Sequence, residues 1–327
     1  MSRDKVSIQP PRRGRHQDRA AIMPSLMATW WPRSPRFASR LRVSHRRHRF
    51  ESSSSDRLVL FTDPDTLRDG RDDWMATREV VREFEDRGIP VVLWGNETRA
   101  EMELIQSDLN VQHPFISENG GGLFIRHGYF VGRPARGRAI QSYDVLDFGR
   151  SYHEVAEALY EVARRQECPV VGFSVLSIEE VARECDLSLA QARLAKLREY
   201  DEPFRVADSE PATYSRICSS LRRLGYRCFT HERFHHATAV ADKAQSIRTL
   251  TSLYCDAHDG HVLTIGVAKA PIETCLLEAV DVPLVVRSAN VNVARLAQKV
   301  PTARLIDAGP HGWCEAILEA LNGRNGR

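Results

Sequence analysis

Short apolar runs that alternate with amphipathic segments constrain the fold of this chain more than any other feature. The run LVLF at 58–61 is continuous, as in a strand that is covered on both faces, and PVVLW at 90–94 repeats the pattern. Between them, residues 74–88 place apolar side chains every three or four positions and end at Gly88, which predicts a helix. This strand–helix–strand order predicts a parallel sheet with right-handed crossovers.

The same alternation returns near the end of the chain, after a middle segment of different texture. Apolar runs at 261–268 and 282–288 predict two more strands of the same sheet, separated by a short helix. The segment 134–238 mixes predicted strands and helices without that rhythm, which indicates an α+β insertion that forms a lid. We therefore expect one α/β core domain, built from residues 57–133 and 239–327 and interrupted by this insertion.

Charge separates the first 56 residues from the rest of the chain. Residues 1–50 contain thirteen Lys and Arg residues and two acidic ones, and the segment ends in the linker-like run ESSSS. We expect residues 1–56 to be a basic, disordered tail; an upstream extension of the gene, an Arg-rich targeting peptide, or an arm for nucleic acid or a membrane surface are alternatives. The remaining chain has 33 basic and 41 acidic residues, which argues against a folded body that binds nucleic acid.

Hydropathy and cysteine usage bear on where the protein works. No apolar run approaches the roughly 18–20 residues that a membrane-spanning helix requires, so no membrane segment is expected. The seven cysteines are scattered, odd in number and without a CxxC pair. This pattern favours reduced thiols in the cytoplasm, and the sequence gives no sign of the oligomeric state.

Two carboxylates follow the first apolar run, in the stretch RLVLFTDPDT. In an open parallel sheet, ligands bind at the carboxyl ends of the strands, so Asp63 is expected at the mouth of a site. An aspartate there can attack a phosphoryl group, and Asp65, two positions later, can protonate the leaving oxygen and then activate water. An aspartate that caps a turn after the strand explains this stretch alone equally well.

Five segments, in order along residues 57–290, carry a resemblance to a known family. The pattern D-x-D-x-T after an apolar strand resembles the first motif of the haloacid dehalogenase (HAD) superfamily. Four later segments resemble the mannosyl-3-phosphoglycerate phosphatase family: GIPVVLWGNETRAE, PFISENGG, REYDEPF and RFHHATAVADK.

The resemblance implies both a fold and a function. The fold is HAD-like, with a Rossmann-type parallel-sheet core and an inserted α+β cap of the C2B type. The function is that of a phosphoric monoester hydrolase of mannosylglycerate biosynthesis, which removes phosphate from mannosyl-3-phosphoglycerate with Mg²⁺ and through an aspartyl-phosphate intermediate. The implied partner is a small phosphosugar.

The resemblance also implies a role for individual residues. Asp63 is then the nucleophile and a Mg²⁺ ligand, and Asp65 is the general acid/base with its backbone carbonyl on the metal. Lys243 neutralises the charges of the phosphate and the nucleophile, Glu273 is a further acidic metal ligand, and residues 118–120 form the family's ENG turn, which shapes the loop or contacts ligand. The implied substrate contacts are Asn96, Arg198, Glu202, Arg233 and His235.

Two departures from the family pattern affect phosphate binding. The glycine of D-x-D-G-T is missing, so Thr66 directly follows Asp65 and the loop whose amides should hold phosphate is shortened. The family's TSKT is replaced by GNET, which removes at Gly95 the hydroxyl expected to bind a phosphate oxygen. The Asn96 amide is a partial substitute. Glu97 brings a negative charge to a position that is often lysine in the family.

A third departure affects the metal. The family's loop GDSPND reads AKAPIE at 268–273. Lys269 therefore stands where an acidic Mg²⁺ ligand is expected, and an ammonium repels the ion and supplies no oxygen. Glu273 keeps the second acid of the loop, so Mg²⁺ binding is doubtful although the family implies it.

Three hypotheses follow for the activity. In one, the chain is a pseudoenzyme that binds a phosphosugar or a protein partner, with the Lys269 ammonium in the place of the metal. In another, a rewired site hydrolyses phosphate slowly, with Lys269 and Lys243 as electrostatic stabilisers. In the third, the chain is an HAD-type sugar phosphatase with another substrate. Loss of a metal ligand and a phosphate-binding hydroxyl favours the first hypothesis over the second.

Overall fold

The computed structural model describes residues 58–67, 74–132, 137–207, 211–231, 233–269, 274–287 and 298–322. The strands are β1 Leu58–Thr62, β2 Val91–Trp94, β3 Phe115–Ser117, β4 Gly122–Arg126, β5 Arg138–Ile140, β6 Tyr143–Asp147, β7 Val170–Gly172, β8 Asp201–Val206, β9 Arg227–His231, β10 Phe234–Thr238, β11 Leu263–Ala268, β12 Val282–Val286 and β13 Arg304–Ile306. The helices are α1 Pro64–Leu67, α2 Met75–Asp86, α3 Arg99–Leu109, α4 Tyr152–Arg165, α5 Ile178–Cys185, α6 Leu189–Ala195, α7 Pro211–Arg223, α8 Gln245–Ala257, α9 Thr274–Leu277 and α10 Pro310–Asn322. None of these helices combines the length and apolar character needed to cross a membrane.

Within the described residues, the larger sheet contains nine strands in the order β13-β12-β11-β1-β2-β3-β4-β6-β5. From β13 to β3 neighbouring strands run parallel, whereas β4, β6 and β5 extend the edge in antiparallel pairs. Strand β1 lies in the middle of the parallel part, and all five of its residues are buried. The predicted α/β fold with a Rossmann-type parallel core is therefore confirmed.

Helices cover both faces of this sheet, because alternate residues of β1 point to opposite sides. Leu58 and Leu60 join an apolar layer with α2 and α10, in which Phe84 stacks on Trp313 at a centroid distance of 5.7 Å. Val59 and Phe61 point to the other side and join a second apolar layer with α8, around Tyr254. A strand buried on both faces requires a continuous apolar run, and LVLF supplies one.

In the part of the chain that the structure describes, the second sheet has four antiparallel strands in the order β7-β8-β10-β9. Helices α4 and α7 cover one face, where Leu159, Phe204 and Ile217 form an apolar cluster. The short helices α5 and α6 pack beside the other face around Phe173 and Phe234, whose rings meet edge to face at 5.1 Å. This sheet and its helices form the cap over the carboxyl ends of β1 and β2.

The edge of the larger sheet differs from the predicted start of the insertion at residue 134. Strands β5 and β6 belong to the larger sheet, where β6 pairs with β4 from Gly122 opposite Asp147 to Arg126 opposite Tyr143. The cap sheet therefore begins after Asp147. Alternating residues predicted these strands, but alternation does not tell which sheet a strand joins.

Candidate active site

Three neighbouring strands of the larger sheet end at one place and bring the sequence-predicted motifs together. Strand β1 leads into Asp63, β2 leads into Gly95 and the residues after it, and β11 leads into Lys269. Because β2, β1 and β11 are parallel neighbours, their carboxyl ends open on the same crevice. The side chain of Asp63 is buried, whereas Asp65 on α1 is exposed.

Thr66 holds the carboxyl group of Asp63. Its backbone N–H donates to Oδ1 of Asp63 at 2.7 Å, and its hydroxyl donates to Oδ2. Burial raises the pKa of Asp63 from 3.8 to about 6, against the bonds from Thr66 and the charge of Lys269, which lower it, while the charge of Asp65 raises it. Because no glycine separates Asp65 from Thr66, Thr66 lies in the first turn of α1, and the carboxylate predicted as nucleophile caps this turn by accepting from its backbone N–H.

Lys269 makes two contacts with this loop. Its backbone N–H donates to the hydroxyl of Thr66 at 3.1 Å, and its ammonium donates to the backbone carbonyl of Asp65. That carbonyl is the group that the family resemblance assigns to Mg²⁺. Among the described residues no group of three or more His, Cys, Asp or Glu side chains is placed to hold a metal ion, and Glu273 lies outside the described residues. The described residues therefore do not fit Mg²⁺.

Glu97 contributes a further carboxyl group to the crevice. Burial raises the pKa of Glu97 well above its ordinary value, and the charges of Asp65, Glu101 and Asp63 raise it further. Oε2 of Glu97 is buried and has no hydrogen-bond partner among the described residues. Glu101 is held in place because it forms a capping box with Thr98 at the start of α3, with bonds of 2.8 and 3.2 Å.

The crevice is a cavity of about 290 Å³ between the larger sheet and the cap. The core lines it with Asp63, Asp65, Trp94, Gly95, Asn96, Glu97, Glu101 and Asn119. The cap lines it with Phe173, Cys185, Leu187, Ala195, Arg198, Pro203, His231, Phe234 and His236. Carboxyl groups gather on the core side, and aromatic and basic side chains face them from the cap.

A buried polar network joins the cap to the core at Arg198. Its Nη1 donates to the backbone carbonyl of Asn96 at 2.7 Å and to Oδ1 of Asp201 at 2.9 Å. The other oxygen of Asp201 lies 3.1 Å from Nδ1 of His236. Burial lowers the pKa of His236, only partly opposed by Asp201, so the ring is neutral near pH 7 and Nδ1 donates to Asp201. Nε of Arg198 is buried without a hydrogen-bond partner in the described part of the chain.

The ENG turn connects the sheet to the cap. The buried carboxylate of Glu118 accepts hydrogen bonds from three consecutive backbone N–H groups, those of residues 199–201, at 2.8 to 2.9 Å. Asn119 has left-handed backbone angles, with φ of 57°, and its side-chain amide donates to Oδ1 of Asn96 at 2.9 Å. The turn thus anchors the segment REYDEPF, and only Asn119 reaches the cavity.

Lys243 lies behind Asn119. Its ammonium is 3.2 Å from Oδ1 of Asn119 and 3.3 Å from the centroid of the Phe229 ring. Among the described residues, those that line the cavity do not include Lys243. Neutralisation of the nucleophile by Lys243 stays a prediction, and the ammonium contacts Asn119, which lines the cavity.

The predicted cap contacts are corrected by the alternation of side chains along β8 and β10. Pro203 lines the cavity, whereas Glu202 faces α4 and accepts from the hydroxyl of Ser174 at 2.6 Å. His236 lines the cavity, whereas His235 faces α7 and stacks on Tyr214 at 3.8 Å. Neither Glu202 nor His235 is among the described residues that line the cavity, and their contact with a substrate stays a prediction.

Arg233 does not line the cavity, whereas His236 does. Arg233 is exposed, and its guanidinium bonds the carbonyl of Glu184 at 3.2 Å and Asp186 at 3.3 Å, outside the cavity. The family pattern R-F-x-H, aligned letter by letter, places its histidine at His236, so the signal for this residue was in the sequence. His231 beside it carries no such signal.

Comparisons with known proteins agree with this fold. A scan against protein-family models gave no match. A haloacid dehalogenase-like hydrolase from Bacteroides thetaiotaomicron superposes with a TM-score of 0.55 at 15% identity, over 81% of this chain and all of that one. Sucrose-phosphatase from Synechocystis, solved with sucrose and phosphate, superposes with a TM-score of 0.51 at 10% identity, over 81% and 98% of the two chains. The fold is therefore that of the HAD-like hydrolases.

Relatives with closer sequences identify the family. A glucosyl-3-phosphoglycerate/mannosyl-3-phosphoglycerate phosphatase from Methanococcoides burtonii is 31% identical over 271 residues, which span 82% of this chain and 98% of the relative. A protein of the same name from Persephonella marina is 27% identical over 271 residues, or 81% and 97% of the two chains. The chain belongs to the glucosyl-3-phosphoglycerate/mannosyl-3-phosphoglycerate phosphatase family, a family of HAD-type phosphatases.

Proposed function

We propose that the chain hydrolyses the phosphate ester of a small sugar-glycerate, with mannosyl-3-phosphoglycerate and its glucosyl counterpart as the first candidates. The observation that carries this proposal is the pair Asp63 and Asp65 at the end of the central strand, facing a cavity that the cap closes. The names of the relatives support the substrate class. Scattered cysteines favour the cytoplasm as the place of action.

In the proposed reaction, Oδ2 of Asp63 attacks phosphorus after its bond from the Thr66 hydroxyl opens. The bond between phosphorus and the ester oxygen breaks, and that oxygen leaves with a proton from Asp65. Water then attacks the aspartyl-phosphate, Asp65 accepts the proton of the water, and phosphate and the Asp63 carboxylate are released. Lys269, in contact with Asp65 and Thr66, supplies positive charge beside the reacting groups.

The cap side of the cavity suits the rest of such a substrate. The unpaired Nε of Arg198 is a donor for a carboxylate of the glycerate, because a buried guanidinium N–H without a partner favours an anion. The neutral His236 ring donates to Asp201 and leaves Nε2 as an acceptor for a sugar hydroxyl. Phe173 and Phe234 offer an apolar surface for the sugar ring.

The second candidate is a pseudoenzyme that binds the phosphosugar without efficient turnover. The contact between the Lys269 ammonium and the Asp65 carbonyl favours it, since this contact takes up the oxygen expected to bind Mg²⁺. Loss of one preorganised electrostatic contact costs an enzyme about 3–4 kcal/mol in rate, so the loss of the metal removes most activity unless Lys269 compensates.

Phosphate release from both phosphoglycerates separates the two candidates. The full chain is assayed with Mg²⁺ and with EDTA, beside the variant Asp63→Asn. Release by the wild type that Asp63→Asn abolishes supports the hydrolase. If the wild type binds the esters by calorimetry but releases no phosphate under either condition, the hydrolase proposal is wrong and the pseudoenzyme stands.

A further inference from the structure

The space beside Gly95 is filled by another residue of the same loop. A Cβ atom built on Gly95 would lie 2.1 Å from Oε2 of Glu97 and 3.2 Å from its carboxyl carbon. The same point is 3.2 Å from Cδ of Pro64 in the loop that carries Asp63. The carboxyl group of Glu97 therefore occupies the place where a side chain at position 95 would begin, and only glycine leaves room for it.

The backbone fixes Glu97 in this position from both sides. The carbonyl of Gly95 accepts from the backbone N–H of Asn119 at 2.7 Å, and the carbonyl of Glu97 accepts from that of Glu118 at 3.0 Å. Directly after Glu97, the capping box of Thr98 starts α3. These bonds fix the backbone that carries the Glu97 side chain, so the loop itself has little freedom to lose when a ligand binds.

One carboxyl oxygen of Glu97 has no hydrogen-bond partner among the described residues. Glu97 lines the cavity, and this oxygen, Oε2, is buried. Three acidic groups, Asp65 on α1, Glu101 on α3 and Asp63 at the end of β1, raise the pKa of Glu97 further, whereas Arg198 lines the same cavity from the cap. A buried carboxyl group among carboxylates takes up a proton, and a neutral carboxylic acid is a hydrogen-bond donor.

We propose that Glu97, as a neutral carboxylic acid, donates a hydrogen bond to a phosphoryl oxygen and so replaces the hydroxyl that the family pattern has at position 95. The inference rests on the proposed function for its anionic ligand. It explains why Gly95 and Glu97 occur together: the first removes the hydroxyl and makes the space that the second fills. An ionised Glu97 that holds a cation is the competing arrangement.

Binding of inorganic phosphate tests the role of Glu97 without requiring turnover. Calorimetry on the full chain in EDTA compares the wild type with Glu97→Ala, Glu97→Gln and the double variant Gly95→Thr/Glu97→Ala. Since a hydrogen bond to a charged group contributes about tenfold in affinity, Glu97→Ala is expected to bind phosphate about tenfold more weakly. Glu97→Gln keeps a neutral donor and stays near the wild type, and the double variant regains affinity through the threonine hydroxyl.

Glu79→Gln is the control for the change in net charge, because Glu79 is exposed on α2. Thermal unfolding of each variant checks that the fold is kept. The inference is overturned if Glu97→Ala binds phosphate as tightly as the wild type, if Glu97→Gln loses as much affinity as Glu97→Ala, or if the wild type binds phosphate only with Mg²⁺. Phosphate binding as expected without ester hydrolysis would leave the inference standing and remove the hydrolase proposal alone.

Discussion

The ammonium of Lys269 donates a hydrogen bond to the backbone carbonyl of Asp65, across the mouth of the site. In the family pattern an acidic residue stands at position 269, and the carbonyl is a ligand of Mg²⁺. One lysine thus removes a carboxylate and takes up a second ligand oxygen. The Lys269 ammonium also supplies positive charge beside Asp63. This charge belongs to the chain itself, whereas the charge of a bound ion would depend on the metal concentration.

Replacement of Lys269 by an acid should restore a metal site. Lys269→Asp frees the Asp65 carbonyl and adds a carboxylate, so Mg²⁺ affinity is expected to rise about tenfold or more, since attraction to the ion replaces repulsion. Mg²⁺ titration by calorimetry measures the change. Lys299→Asp, at an exposed position, is the matched control for the same change in charge. Equal Mg²⁺ affinity in Lys269→Asp and the wild type would show that position 269 does not face the metal position.

Removal of the buried charge at Asp63 should stabilise the fold and abolish catalysis. The pKa of Asp63 is raised in the folded protein, because burial disfavours the charged carboxylate. The folded state therefore loses stability relative to the unfolded state as the pH rises through about 6. The rise of this pKa from 3.8 to about 6 corresponds to a loss of about 3 kcal/mol in the free energy of unfolding at pH 8. Asp63→Asn, which cannot ionise, is expected to recover about 1–2 kcal/mol of this at pH 8, less the loss of a bond to Thr66.

Denaturant unfolding of Asp63→Asn and the wild type at pH 5 and pH 8 measures the effect. The gain should be larger at pH 8, because the wild type is largely protonated at pH 5. Asp256→Asn, which changes an exposed aspartate of α8 far along the chain from the site, is the control and should leave the free energy of unfolding nearly unchanged at both values. A gain in Asp63→Asn that is equal at both pH values would contradict the assignment of the buried charge to Asp63.

The cap depends on the carboxylate of Glu118. Glu118→Ala leaves three backbone N–H groups of residues 199–201 without their acceptor, and the free energy of unfolding is expected to fall by about 3 kcal/mol or more. Glu118→Gln should also destabilise the protein, because its NH₂ group faces backbone donors. Denaturant titration followed by tryptophan fluorescence measures both. Glu154→Ala, which removes the glutamate of the exposed capping box of α4, is expected to lower the free energy of unfolding much less.

Much of the core of the site could be predicted because its determinants are local in sequence. LVLF predicts a strand that is buried on both faces, and the rule that ligands bind at strand ends then places Asp63 and Asp65. Lys269 could be placed beside them because the family pattern is continuous there. The side chain of Glu97 could not be placed, because its position depends on the empty space at Gly95 and on contacts with the loop at Pro64.

The cap side chains that line the cavity are harder to predict, because the register of a strand decides which face of the sheet each of its side chains lies on. A shift of one residue exchanges the two faces of a strand, which is the whole difference between His235 and His236. The same limit applies to Glu202, whose neighbour Pro203 on β8 lines the cavity. The sequence of a strand also does not show which strand it pairs with. The pattern of β5 and β6 predicts strands of the insertion, although both extend the larger sheet.

The two adjacent histidines of β10 give a direct test of the substrate side of the cavity. His236 lines the cavity and bonds Asp201, whereas His235 stacks on Tyr214 on the opposite face of the cap sheet. His236→Ala is expected to raise KM for the phosphosugar about tenfold, the effect of losing one hydrogen bond to a polar ligand and the bond to Oδ2 of Asp201. His235→Ala loses a comparable ring contact and serves as the control, with KM nearly unchanged.

His236→Gln, whose amide can donate to Asp201, should recover part of the loss. Steady-state kinetics on the three variants decides the matter, and a larger rise in KM for His235→Ala than for His236→Ala would reverse the assignment of the two faces.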